Sequence, residues 1–82
     1  MKSINISEYI PDMGTLISLE DKEDFQSIKG SINMDINKLL DNPSKYLDKS
    51  KTYYFYCAQG SRSRRAVQIL GVYGYKVVKV TI

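Results

Sequence analysis

The sequence predicts an α/β domain in which a mostly parallel sheet carries helices on both faces. Three observations lead there. The run Tyr53-Tyr54-Phe55-Tyr56-Cys57 has neither a charge nor an apolar–polar alternation, the signature of a strand covered on both sides. A glycine-containing turn and a helical period follow it directly, and elsewhere short β-rich runs alternate with helix-like ones across short connections. At 82 residues the chain has the size of one core, so residues 1–82 are expected to form a single domain.

Taken in order, Thr15-Leu16-Ile17-Ser18-Leu19 follows Gly14 as a short strand. Asp21-Lys22-Glu23-Asp24-Phe25-Gln26 then has the acid-first composition of a helix start. Ser31-Ile32-Asn33-Met34 is a second short strand, and Asp35 is placed to cap a helix with Ile36, Leu39 and Leu40 on one face. Asn42-Pro43-Ser44 ends that helix, and Tyr46 and Leu47 fit a further helical turn before the polar break Asp48-Lys49-Ser50. Tyr53–Cys57 is the expected central strand. After it, Ser63 is read as the cap of a helix with apolar positions Ala66, Ile69, Leu70 and Tyr73; Gly74 suits its C′ position. Tyr75 to Ile82 is a final strand rich in β-branched residues.

Composition removes most chemistries. With 43% hydrophobic and 26% charged residues, five Gly and two Pro, the chain has the make-up of a folded protein, not of a disordered or collagen-like one. One cysteine and no histidine leave no intramolecular disulfide, no metal site of several thiolates or imidazoles and no His-based triad. The N-terminus lacks the apolar stretch of a signal peptide, and no run approaches the ~20 apolar residues that span a bilayer, so a cytoplasmic protein with no membrane partner is expected.

Attention therefore falls on Cys57. All nine acids precede residue 50, and six Lys and Arg with no acid follow it. A positive field of that kind favours small anions and the thiolate form of a cysteine. In Cys57-Ala58-Gln59-Gly60-Ser61-Arg62-Ser63 the successive backbone N–H groups, the start of the following helix and the Arg62 guanidinium are placed to converge on the sulfur, an anion cradle around a thiol. Gly60 lets the loop turn inward without a Cβ. Arg64 and Arg65 stand in the first helical turn, where a cation opposes the helix dipole by about 0.3–1 kcal/mol, so an attracted anion is the better reason for them. The structural alternative is an inert core cysteine beside an ordinary turn and a solvated helix face.

The segment resembles the active-site loop of the single-domain rhodaneses, a sulfurtransferase family whose loop reads Cys-x-x-Gly-x-Arg-Ser. The flanks are similar too: an aromatic strand before the cysteine, Arg64-Arg65-Ala66 opening a helix that holds Leu70, and Gly74-Tyr75 leading into the last strand. Upstream, Leu16-Ile17-Ser18-Leu19-Glu20 with Glu23-Asp24-Phe25 resembles the family's first signature, and Ile28-Lys29-Gly30-Ser31-Ile32-Asn33-Met34 its second. Where the family has Asp-Val-Arg this chain has Ser18-Leu19-Glu20, and it stops at Ile82, ahead of the family's closing C-terminal helix.

The resemblance implies a small rhodanese-like fold and a two-step transfer. Cys57 takes a sulfane sulfur from an anionic donor such as thiosulfate, becomes a persulfide, and passes the sulfur to cyanide or a thiol, a thioredoxin-like protein being one such acceptor. The amides of Ala58, Gln59, Gly60, Ser61, Arg62 and Ser63 would hold the persulfide, with Arg62, Arg64 and Arg65 attracting the donor. No metal, no organic cofactor and no nucleic acid is implied. Two other readings remain open. One is a catalytically silent, partner-binding or redox-sensing module of the same fold; the other is a cysteine phosphatase or arsenate reductase, whose longer loop encircles a tetrahedral oxyanion where only four residues separate Cys57 from Arg62.

Overall fold

The computed structural model describes residues 1–22 and 28–82. Among these, five strands form one sheet, β1 (Ser3–Asn5), β2 (Thr15–Ser18), β3 (Ile32–Asn33), β4 (Thr52–Tyr56) and β5 (Lys76–Thr81), in the order β1-β5-β4-β2-β3. Every pairing is parallel. The helices are α1 (Ile36–Asp41), α2 (Pro43–Tyr46) and α3 (Ser61–Val72). From Glu23 onward, the helix expected over Asp21–Gln26 lies outside the described residues.

The pleat explains why β4 reads as a continuous apolar run. Tyr53 and Phe55 point to one face with Ile17, and Tyr54 and Tyr56 to the other with Leu16, so a central strand has no solvent side on which to place a polar residue. The first face is covered by α1, α2 and α3 through Ile36, Leu39, Leu47, Ala66, Val67 and Leu70. The second carries Leu16, Tyr54, Tyr56, Val78 and Val80, against which Ile4, Ile6, Tyr9 and Ile28 pack. Ile6 belongs to a short 3₁₀ turn, Ile6–Glu8, closed by reciprocal Asn5 and Glu8 side-chain hydrogen bonds; a second such turn, Pro11–Met13, is exposed. Buried tyrosines find partners for their hydroxyls: Tyr9 donates to the Gly14 carbonyl at 2.6 Å, Tyr53 accepts from the Asp48 amide at 2.7 Å, and Tyr56 meets Ser31 Oγ at 3.1 Å.

Local signals set the helix ends. Asp35 caps α1, its carboxylate accepting from the amides of Asn37 and Lys38 at 2.8 and 3.1 Å. Pro43 opens α2, where a missing N–H costs nothing. At the far end of α3, Gly74 at φ +92° accepts the left-handed conformation, and the Tyr75 and Gly74 amides return to the carbonyls of Leu70 and Gly71.

The structure corrects two details of α3. The helix starts at Ser61 with Gly60 as its N-cap, so Ser63 lies inside the first turn. Its buried stripe is Ser63, Ala66, Val67 and Leu70; Tyr73 is 54% exposed, because the face toward the sheet includes Ser63 and the i, i+3, i+4, i+7 set then ends at Leu70. No described helix is long and apolar enough to cross a membrane.

Candidate active site around Cys57

In this sheet β4 is the switch point: β3 lies outward of β2 on one side of it and β5 lies on the other. Ligands of open parallel sheets gather at the carboxyl ends of such strands. Cys57 follows the last residue of β4, and Leu19, Glu20 and Asp21 follow the last residue of β2 beside it. The Leu19 amide donates to the Tyr56 carbonyl at 2.9 Å, which fixes the two strand ends against each other.

Cys57 is 4% exposed. Its sulfur accepts from the Ser63 amide at 3.4 Å, and the thiol faces Ser63 Oγ at 3.5 Å. Ser63 Oγ in turn donates to the Gly60 carbonyl at 3.1 Å, so one buried hydroxyl ties the sulfur to the turn. Gly60 holds φ +79° and ψ −11°, a left-handed conformation that would strain a side chain, and the turn reverses there into α3. The thiol thus lies over the first turn of a twelve-residue helix, where partial positive charge supports an anion.

Two other loop groups, the Ala58 amide and the Arg62 side chain, are engaged elsewhere. The Ala58 amide donates to Glu20 Oε1. Arg62 donates to the Leu19 carbonyl at 3.0 Å and pairs with Asp21 Oδ1 at 3.0 Å, side chains that are 40% and 56% exposed. Asp21 holds the guanidinium still further toward its charged form, by its hydrogen bond and its charge, with smaller contributions from Glu20 and Cys57. Glu20 is itself held: its amide donates to Ser18 Oγ at 3.2 Å and its carbonyl accepts from Asn33 Nδ2 at 2.9 Å.

Of the residues singled out in the sequence, Cys57, Ser63, Gly60 and Arg62 are brought into one locality, although Arg62 turns to the end of β2 rather than to the sulfur. Ala58, Gln59 and Ser61 line the mouth of a cleft of about 290 Å³ with Cys57, Arg62, Glu20 and Asp21. Arg64 and Arg65 are exposed, and neither side chain makes a hydrogen bond or ion pair among the described residues. Arg65 borders a wider groove of about 1100 Å³ that shares Glu20, Asp21, Ser61 and Arg62 with the cleft. Sequence reasoning passed over Glu20 and Asp21 as site residues. The signal that finds them is their position immediately after a strand adjacent in the sheet to the cysteine strand. Lys79 was also missed: its ammonium lies so near Gly60 that a Cβ there would stand 3.4 Å from Nζ.

The family model for rhodanese-like domains matches residues 4–81. A search of curated proteins finds no match. Among solved structures, a rhodanese-related protein from Thermoplasma volcanium is 32% identical, with 98% of this chain and 83% of that one covered and a TM-score of 0.84. A protein from Staphylococcus saprophyticus is 27% identical over 98% and 86% of the two chains, TM-score 0.84. An NAD-dependent persulfide reductase from A. fulgidus is similar over a segment, 25% identical, covering 96% of this chain and 14% of that one, TM-score 0.75. The match over residues 4–81 and the fold shared with a rhodanese-related structure at 32% identity place the chain in the rhodanese-like domain family.

Proposed function

We propose that the chain is a sulfurtransferase that carries sulfane sulfur as a persulfide on Cys57, taking it from a donor such as thiosulfate and delivering it to a thiol or to cyanide. The observation that carries this reading is the sulfur itself: buried, met by the Ser63 amide and hydroxyl, and opening on a small cleft over a helix start. In the first step the Cys57 thiolate attacks the outer sulfur of thiosulfate; the donor's S–S bond breaks and sulfite leaves with the electron pair. In the second, an acceptor thiolate attacks the outer sulfur of the persulfide, and Cys57 regains its thiolate. Neither step needs a general base once the thiol is ionised, which suits a chain without histidine. The Ser63 amide donates to the sulfur throughout.

The short loop supports sulfur rather than phosphate chemistry, because its turn closes on one atom. Similarity to a segment of a persulfide reductase lies in the same direction. The groove beyond the cleft, bordered by Met34, Ile36, Lys38, Tyr46 and Arg65, offers a surface for a protein thiol acceptor such as a thioredoxin-like protein.

Incubation with a sulfane donor followed by intact-mass measurement tests the reading. The protein should gain one sulfur atom that a reductant removes, and Cys57→Ser should gain none while melting within a few degrees of the wild type. Sulfur loading by Cys57→Ser would refute the assignment of the nucleophile.

A further inference from the structure

The groups next to the thiol that would receive an anion already hold the protein's own. The Ala58 amide, first in the loop, donates to the Glu20 carboxylate, and the Arg62 guanidinium is paired with Asp21. Two carboxylates and one guanidinium thus line the cleft around Cys57. Glu20 is partly buried, so its charge is less screened than that of a surface acid, and its backbone is pinned on both sides by Ser18 and Asn33. An acid so placed is fixed in the site.

We propose that Glu20, supported by Asp21, is a specificity-determining gate that disfavours small dianionic sulfur donors at Cys57 and admits a persulfide, R–S–SH, of an uncharged carrier. The inference rests on the sulfur-transfer reading and narrows its donor. A dianion reaching the sulfur must displace Glu20 from the Ala58 amide and approach two carboxylates. Protonated R–S–SH, the form attacked, does neither, and its ionised form carries one charge where a dianion carries two. The Cys57 thiolate attacks the outer sulfur of R–S–SH, the donor's S–S bond breaks, R–S⁻ leaves with the electron pair and takes up from solvent the proton the Cys57 thiol released on ionising, and the outer sulfur keeps its hydrogen as Cys57–S–SH. Atoms and charge balance without an oxidant or reductant.

Alkylation gives a test independent of sulfur transfer. The same thiolate attacks iodoacetate and iodoacetamide, displacing iodide from each, and the two differ in charge, so the ratio of their rate constants reads the field at the sulfur whatever fraction of the thiol is ionised. Glu20→Gln keeps a carbonyl to accept from the Ala58 amide, and a thermal melt checks that it folds. The iodoacetate-to-iodoacetamide ratio should rise about tenfold in Glu20→Gln, the scale of a charge-assisted contact, and less in Asp21→Asn. Sulfur loading from thiosulfate should rise in parallel in Glu20→Gln, and by a larger factor than loading from the persulfide of 2-mercaptoethanol. Loading of sulfur with an unmoved ratio in Glu20→Gln overturns the gate, as does a wild type that takes thiosulfate as readily as the neutral persulfide. A ratio that moves while no protein loads sulfur from either donor overturns the sulfur-transfer reading, and the donor assignment with it.

Discussion

Replacing Ser63 by Ala isolates the one side-chain hydrogen bond made to the sulfur among the described residues. Ser63 is fully buried; its hydroxyl lies 3.5 Å from Cys57 Sγ and donates to the Gly60 carbonyl at 3.1 Å. The exchange removes one oxygen, leaves no cavity of consequence and keeps the Ser63 amide on the sulfur at 3.4 Å. Loss of the bond to Gly60 should cost about 1 kcal/mol, which in a domain of this size lowers Tm by roughly 4–8 °C. The larger effect is chemical. When Cys57 ionises, the hydroxyl can turn from the Gly60 carbonyl and donate to the thiolate, a bond to a charged acceptor worth ~1.5–3 kcal/mol in general. Turning gives up the ~1 kcal/mol bond to Gly60, which leaves a net gain of ~0.5–2 kcal/mol, so iodoacetamide should alkylate the variant several-fold more slowly near neutral pH. Sulfur loading should fall in step. Alkylation within twofold of the wild type, with Tm lowered as expected, would refute the argument and leave Ser63 as a turn-stabilising residue only.

Gly60→Ala places a side chain at φ +79°, a conformation that costs an L-residue roughly 1–2 kcal/mol, while its Cβ meets only the flexible end of Lys79. Tm should fall by several degrees and sulfur loading should slow; an unchanged melt would show that the turn relaxes freely. Asp48 accepts from the Ser50 hydroxyl and amide at 2.7 and 2.8 Å, and these bonds hold its carboxyl below the ordinary 3.8. A folded value below the unfolded one contributes stability that is complete above the unfolded value and disappears as pH falls through the folded one. The Tm difference between wild type and Asp48→Asn should therefore be present well above the ordinary 3.8 and shrink as pH falls below it; a gap that stays constant across that fall would contradict it.

The central elements were legible because their sequences admit no other environment. Tyr53 to Tyr56 carry apolar groups on both sides of the pleat, which requires cover on both faces, and Gly74 marks the end of α3 because its neighbours' amides must turn back on the last carbonyls. Strand β1 left no such trace. It is three residues long, only Ile4 is directed into the core, and its pairing partner β5 lies more than seventy residues downstream, a long-range choice that composition does not encode. The start of α3 was misread because Ser63 has the chemistry of an N-cap. Its hydroxyl instead bonds the Gly60 carbonyl and the thiol, and a left-handed glycine turns the chain without a side-chain cap.

At the site, the order of cysteine, glycine turn and helix was readable, but the directions of its donors were not. Those directions depend on Glu20, 38 residues upstream of Ala58, and on Asp21. Along the chain, acids and bases appear segregated, with a C-terminal third free of carboxylates. Folding removes that segregation, because parallel pairing sets the carboxyl end of β2 beside the carboxyl end of β4. The field at Cys57 is then the sum of a helix start, Arg62, the Lys79 ammonium near Gly60 and two carboxylates. Local charge of a segment predicts the field at a parallel-sheet site only after the residues that end the neighbouring strands are counted, since every strand of such a sheet delivers its next residues to the same edge.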